Sequence, residues 1–164
     1  MSIQVKIEDI IEEMELQFEE SHALLNIQTG DIVVVTSEEL RAAEEEEPLD
    51  DLPDWERENR LVAIDVVENF DHYIELPTED EINEYGIMAD FCLTVTNPYE
   101  QEILLKTIKG KGAFRRFKDK IYELGLDNQW YAYRDEALKC IAVEWCRDNK
   151  INFINFSQKR KQGE

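Results

Sequence analysis

Ala23-Leu24-Leu25-Asn26-Ile27-Gln28-Thr29-Gly30-Asp31-Ile32-Val33-Val34-Val35-Thr36 is the stretch that decides the fold class of this chain. Two apolar, β-branched runs flank a Thr-Gly-Asp turn, the pattern of a β-hairpin in which Gly30 supplies a residue of positive φ. A lone hairpin is marginal in water, so a third strand is required. Leu61-Val62-Ala63-Ile64-Asp65-Val66-Val67 is the strand expected to complete the sheet, and Tyr73-Ile74-Glu75-Leu76 is a weaker extended segment ending at Pro77.

Outward from the hairpin the pattern changes period. Ile7, Ile10, Ile11, Met14 and Phe18 recur every three or four residues among Glu8, Glu12, Glu13, Glu15 and Glu19, which predicts an N-terminal amphipathic helix with an acidic outer face. Ser37 can cap a short helix through about residue 43. Glu44 to Asp54 holds seven acids and two prolines and reads as a solvated, extended loop, with Trp55 pinning its far end to the core. Beyond Pro77 the chain turns helical. Thr78 with Glu81 fits a capping box, Asn97-Pro98 an N-cap with proline at the first position, and Gly125 a helix stop. A last long helix begins near Asp127, with Trp130, Tyr133, Ala137, Leu138, Ile141, Ala142 and Trp145 facing inward. The expected class is α+β: an N-terminal helix and a small antiparallel sheet (hairpin about 22–36 plus strand about 61–67) packed with a C-terminal helical part. Residues 1–156 are expected to form one domain with halves at 1–77 and 78–156, followed by a disordered tail at 157–164.

Charge divides the chain more sharply than secondary structure does. Its net charge is −20, yet residues 1–100 hold 29 acids against four bases while residues 101–164 hold 14 bases against nine acids. A total this negative opposes phosphate backbones and anionic membranes at long range, so polyanion binding is expected only if it is local to the C-terminal part. The simplest reading is that the two halves attract one another within the fold. Apolar runs such as Ile32–Val35 fall far short of the roughly 18 residues of a membrane span. The N-terminus reaches Glu8 and Asp9 without the pattern of a secretory signal. Cys92, Cys140 and Cys146 lack CxxC spacing and read as reduced, packed thiols, so a cytoplasmic location is expected.

Lys109-Gly110-Lys111-Gly112-Ala113-Phe114-Arg115-Arg116-Phe117-Lys118-Asp119-Lys120 places six bases and one acid in twelve positions. Glycines among lysines at a helix start suggest a phosphate cradle, but the P-loop order GxxxxGK[ST] is absent and no strand or GxGxxG supports a dinucleotide site. Ala113, Phe114, Phe117, Ile121 and Leu124 form a helical apolar seam, which leaves Arg115, Arg116, Lys118 and Lys120 at the rim or in solvent. Arg115 and Asp119 can pair at i,i+4, whereas Arg116 and Lys120 are a like-charge pair at that spacing. Lys109 and Lys111 sit where a helix dipole disfavours cations, a small cost that an anionic partner would offset. Trp130, Tyr131, Tyr133 and Arg134 cannot all face inward, so some of these aromatics are expected beside the basic helix. Phe114 and Phe117 could form a stacking platform for single-stranded nucleic acid but fit the core seam equally well.

Catalytic patterns are thin. His22 and His72 are the only histidines, too few for a multi-histidine metal site, and they read as strand or turn residues. With 38 acids, carboxylate pairs carry no information. Cys140 and Cys146 face different sides of a helix, and Asp50, Asp51 and Asp54 lack the EF-hand order. No catalytic residue, metal or cofactor is expected.

The run Gly110–Asp119 (GKGAFRRFKD), followed by Trp130-Tyr131 and a final helix with Ala142 and Trp145, resembles the signature of an uncharacterised bacterial protein family. Ile74-Glu75-Leu76-Pro77, Met88-Ala89-Asp90-Phe91 and Thr29-Gly30 are similar to the same pattern, so the resemblance covers most of the chain. It implies a small cytoplasmic bacterial protein of unknown function and carries no catalytic residue over. The residues themselves point to a binding or regulatory module that holds an acidic partner, or a second copy, on Lys109, Lys111, Arg115, Arg116, Lys120, Trp130, Tyr131 and Arg134. Nucleic-acid contact through the C-terminal basic part, with the acidic half as a self-mask, and an enzyme site assembled from scattered residues are the alternatives.

Overall fold

The structure, a computed structural model, describes residues 3–155; the tail expected at 157–164 lies outside the described residues. The protein is α+β, a small antiparallel sheet and a short parallel pair among many helices. The chain divides into two compact units, one of residues 1–78 and 142–164 and the other of residues 79–141.

In the first unit, strand β1 (Gln4–Lys6) leads directly into helix α1 (Ile7–Leu16), which buries Ile7, Ile10 and Met14 at the predicted spacing. The helix ends before Phe18, which is therefore not on the core face and is 57% exposed. Strands β2 (Ser21–Asn26) and β3 (Ile32–Thr36) form the expected hairpin, with Leu25 opposite Ile32 and Ser21 opposite Thr36. Gly30 takes φ +84° in its turn, and Asn26 Oδ1 accepts from the N–H groups of Gln28 and Thr29. Helix α2 (Ser37–Glu44) is capped one residue earlier than expected, because the Thr36 hydroxyl accepts from Glu39 N.

The strand expected at 61–67 is not a strand. Those residues lie in helix α3 (Asp54–Glu68), which starts inside the stretch read as an acidic loop. Arg60, Ala63 and Val66 are buried at three-residue spacing while Leu61 is half exposed, so the face that packs follows a helical period and tertiary burial overrides the β-branched composition. Pro53 precedes the helix, and Asp54 and Glu56 complement the dipole of its first turn. Trp55 points to solvent and anchors nothing.

The third strand is instead the weaker segment, β4 (Tyr73–Glu75), which follows a 3₁₀ turn at Phe70–His72. It pairs antiparallel with β2, giving the order β3-β2-β4 with Leu24 opposite Glu75. Leu24, Val33, Val35 and Tyr73 line one sheet face and pack with Ala43, Ala63 and Val66 of α2 and α3.

The second unit begins with a short helix, α4 (Glu79–Ile82), which breaks where Asn83 enters the left-handed region at φ 51° and caps helix α5 (Glu84–Thr94) by accepting from Gly86 N. Helix α6 (Pro98–Thr107) starts as predicted, Asn97 Oδ1 accepting from Tyr99 N and Glu100 N at 2.9 and 3.1 Å. Helix α7 (Ala113–Leu124) runs between Gly112 and Gly125, both at positive φ, and Gly125 N–H closes on Ile121 and Tyr122 carbonyls in the expected stop. Helix α8 (Asp127–Asp148) begins in this unit, and its last turns belong to the first. There Trp145 Nε1 donates to Glu75 O at 2.9 Å, and strand β5 (Asn152–Ile154) pairs parallel with β1.

The core of the second unit is aromatic. Phe91, Phe117 and Trp130 meet edge to face with ring centroids 4.9–6.1 Å apart, and Tyr133 lies against Phe91 at 5.5 Å. Such contacts add to area burial because ring edges and faces carry opposite partial charge. Leu138 is buried farther along α8 in this unit, and Ala142 and Cys146 are buried in the part of the helix that belongs to the first.

Candidate functional site

Helix α7 sorts the basic stretch by side. Ala113, Phe117 and Ile121 are buried, so the seam runs along every fourth residue. Phe114 is not part of it: displaced by about 100° from Ala113 on the helical wheel, it is 37% exposed, which corrects its placement in the core. Phe114, Lys118 and Tyr122 follow at i, i+4 and i+8 and share one outer strip with Arg115, seven residues before Tyr122. Tyr122 and Tyr131 are 57% and 41% exposed, and their hydroxyls lie 3.1 Å apart, linking the strip to the start of α8. That hydrogen bond raises the Tyr122 phenol above its ordinary pKa.

Arg116, expected to face outward without a task, has one. Its Nε donates to Thr107 O at 3.1 Å, Nη2 to Lys109 O at 2.6 Å, and Nη1 to Lys111 O. Thr107 is the last residue of α6, so one guanidinium takes that helix-end carbonyl together with carbonyls of the loop and fixes the glycine turn into α7. The presumed cost of placing cations before α7 changes with it. Lys109 and Lys111 also stand just past the C-terminus of α6, where positive charge is favoured, so no anion is needed to balance them.

The remaining expected site residues separate. Lys120 lies on the opposite flank of the seam from Lys118 and pairs with Glu123 at 2.9 Å, which resolves its like-charge conflict with Arg116. Arg134 is tied to Glu84 at 2.5 Å, which links α8 to α5. Trp130 is 3% exposed and belongs to the aromatic core, so it cannot form part of a surface. Arg115 makes no pair with Asp119, and among the described residues Lys109, Lys111, Arg115 and Lys118 have no ion-pair partner. The structure thus brings together Arg115, Lys118, Phe114, Tyr122 and Tyr131. Of these, Lys118 and Tyr122 are absent from the set expected from the sequence and Phe114 is expected inward, although the i, i+4, i+8 spacing from Phe114 carries the signal.

Other chemistries meet less support. Cys92 and Cys146 are buried, and loss of hydration pushes both thiols up to about 11, far from nucleophilic use at neutral pH. Cys140 is exposed, unlike the packed thiol expected there. Among the described residues no group of three or more His, Cys, Asp and Glu side chains is placed to hold a metal ion, and no helix is long and apolar enough to cross a membrane. The carboxylates of α2 and of the segment after it are held by arginines of their own unit: Arg41 binds Glu38, Glu45 and Glu47, and Arg60 binds Glu39 at 2.6 Å.

A family model described as an uncharacterised protein family, UPF0158, matches residues 3–161. The chain is also similar to a UPF0158 protein of Pseudomonas aeruginosa, at 28% identity over 132 residues that cover 77% of this chain and 72% of the relative. No solved structure matches.

Proposed function

The chain belongs to the uncharacterised UPF0158 family, which has no assigned function, and from that premise we propose that it is a cytoplasmic binding or regulatory module whose α7 face holds an acidic protein segment. The observation that carries this reading is the strip of Phe114, Arg115, Lys118, Tyr122 and Tyr131, where exposed aromatic rings alternate with cations that have no internal partner. Exposed rings beside unpaired cations suit a peptide in which carboxylates alternate with apolar residues, since the rings bury the apolar side chains and the cations meet the charge. Lys109 and Lys111 extend the positive field toward one end of the strip. The role of this face is non-catalytic: Arg115, Lys118 and the two tyrosines form no nucleophile–base pair.

The test uses the full-length protein and a synthetic peptide with the sequence of residues 44–54, which combines carboxylates with leucine. Binding by fluorescence anisotropy should weaken with salt and fall at least tenfold in Arg115→Glu/Lys118→Glu. No peptide binding, or binding indifferent to that double reversal, would overturn the reading. Binding of a single-stranded oligonucleotide in preference to the peptide would also overturn it, in favour of nucleic-acid contact. Charge reversal at Arg116 is not a fair test, because that residue holds the turn.

A further inference from the structure

His22, Ser37 and Glu75, all in the first unit, stand in the order of a hydrolytic triad. His22 Nε2 lies 3.0 Å from Ser37 Oγ, and His22 Nδ1 lies 3.1 Å from Glu75 Oε2. With the carboxylate at Nδ1, the neutral ring carries its proton there, so Nε2 is left to accept from the serine hydroxyl. Each ring nitrogen therefore has the partner that the chemistry of an activated serine requires, and such a constellation is recognised by geometry rather than by sequence position.

Three different elements hold the groups. β2 carries His22 opposite Val35 of β3, and the chain leaves β3 at Thr36 to put Ser37 at the first position of α2. Ser37 N–H donates to Glu20 O at 2.8 Å, which fixes the backbone at that bend. Glu75 lies on β4 opposite Leu24, two residues from His22 on the same side of β2, and its own carbonyl is held by the Trp145 indole. At this strand-to-helix bend the backbone next to the serine supplies one donor for an oxyanion. Glu39 N–H is taken by the Thr36 hydroxyl, whereas Glu38 N–H, directly after the serine, is one of the first-turn donors with no carbonyl in its own helix.

We infer that Ser37, His22 and Glu75 form an acyl-transfer site for small esters or thioesters with good leaving groups, an activity separate from the binding face on α7. The site is open, with His22 and Glu75 side chains 36% and 48% exposed, so it accepts an acyl group that needs no enclosing pocket. In the first half-reaction Ser37 Oγ bonds to the carbonyl carbon as its proton moves to His22 Nε2, and the oxyanion meets Glu38 N–H. Collapse breaks the bond to the leaving group, which departs with the proton from Nε2 and leaves an acyl-serine. Water then attacks that carbonyl, giving its proton to Nε2; the acid leaves and the proton returns to Ser37 Oγ. The sum is ester or thioester plus water to acid plus alcohol or thiol. Ser37 and His22 are the catalytic residues, and Glu75 is a positioning residue that holds the ring.

The full-length protein, treated with a fluorophosphonate probe and mapped by peptide mass spectrometry, should carry the label on Ser37. Ser37→Ala should lose it, and His22→Gln should slow it at least tenfold. Glu75→Gln should slow labelling, Glu75→Asp should restore part of the rate, and hydrolysis of p-nitrophenyl acetate should exceed that of Ser37→Ala. An unlabelled Ser37 in the unsubstituted protein overturns the inference without reference to any variant. So does labelling that His22→Gln leaves unchanged, which would mark the three groups as a surface hydrogen-bond network.

Discussion

Arg116 shows how one side chain can change the meaning of a motif. Read as charge, it is an unexplained cation four residues from Lys120; read with its hydrogen bonds, it joins α6 to α7 through three main-chain carbonyls. Bonds from a charged donor are worth more than neutral ones, but solvent competes at this exposed site, so Arg116→Leu should cost about 1–2 kcal/mol in urea unfolding. Lys120→Ala removes only a surface pair with Glu123 and should cost about 0.5 kcal/mol or less. Equal losses at the two positions would mean that the guanidinium does not hold the turn. The glycines of the same motif serve the turn rather than a phosphate cradle: Gly110 and Gly112 both take positive φ. The arginine's contacts were not legible in the sequence, because the carbonyls it meets become available only where α6 ends.

The largest departure from expectation at the level of elements is α3. Its β-branched residues favour a strand locally, but one helical face is buried against α2 and the sheet, and that burial outweighs a propensity difference of roughly 1 kcal/mol or less per residue. The same packing creates the pair of Arg60 and Glu39, with side chains 7% and 14% exposed. Arg60 also leaves its Nη1 without a hydrogen-bond partner. Truncating one member strands a charge, so Arg60→Ala should destabilise the protein by about 3–5 kcal/mol. Arg60→Met together with Glu39→Leu should recover most of that loss, since apolar replacement of a buried pair is often neutral. Thermal or denaturant unfolding of the four members of that cycle checks both statements, and a double variant as unstable as Arg60→Ala would refute the second.

Across the whole molecule, charge and burial follow the two units. Residues 1–78 and 142–164 carry 26 acids against nine bases, while residues 79–141 carry 12 against nine, so nearly all of the negative excess belongs to the first unit. An acidic segment of the kind proposed for the α7 strip would therefore meet little opposing charge from the unit that presents it. Each unit also buries one thiol, Cys92 in the second and Cys146 in the first. Both have folded pKa values raised to about 11 by lost hydration, above the roughly 8.5 of a free thiol. Between those values the unfolded chain releases protons that the folded chain keeps, so stability should be fully present below about pH 8.5 and decline toward pH 11. The decline should shrink in Cys92→Ala/Cys146→Ala when each protein is compared with its own stability at pH 7. An unchanged slope would assign the alkaline loss to other groups.

The sequence by itself determined what depends on near neighbours: the hairpin around Gly30, the Asn97 cap with Pro98, the buried seam of Ala113, Phe117 and Ile121, and the stop at Gly125. Each rests on steric or hydrogen-bonding rules acting within a few residues. It also marked the surroundings of α7 as the place where positive charge collects. Only the tertiary structure decided that residues 61–67 join a helix, that Tyr73–Glu75 completes the sheet, and that Phe114, Tyr122 and Tyr131 share an exposed strip. These depend on which face meets another element, and a helical face and a strand face can be written with the same apolar residues. His22, Ser37 and Glu75 belong to the same class. They stand 15 and 53 residues apart from the histidine in the chain and come within hydrogen-bond reach only because β2 lies between β3 and β4.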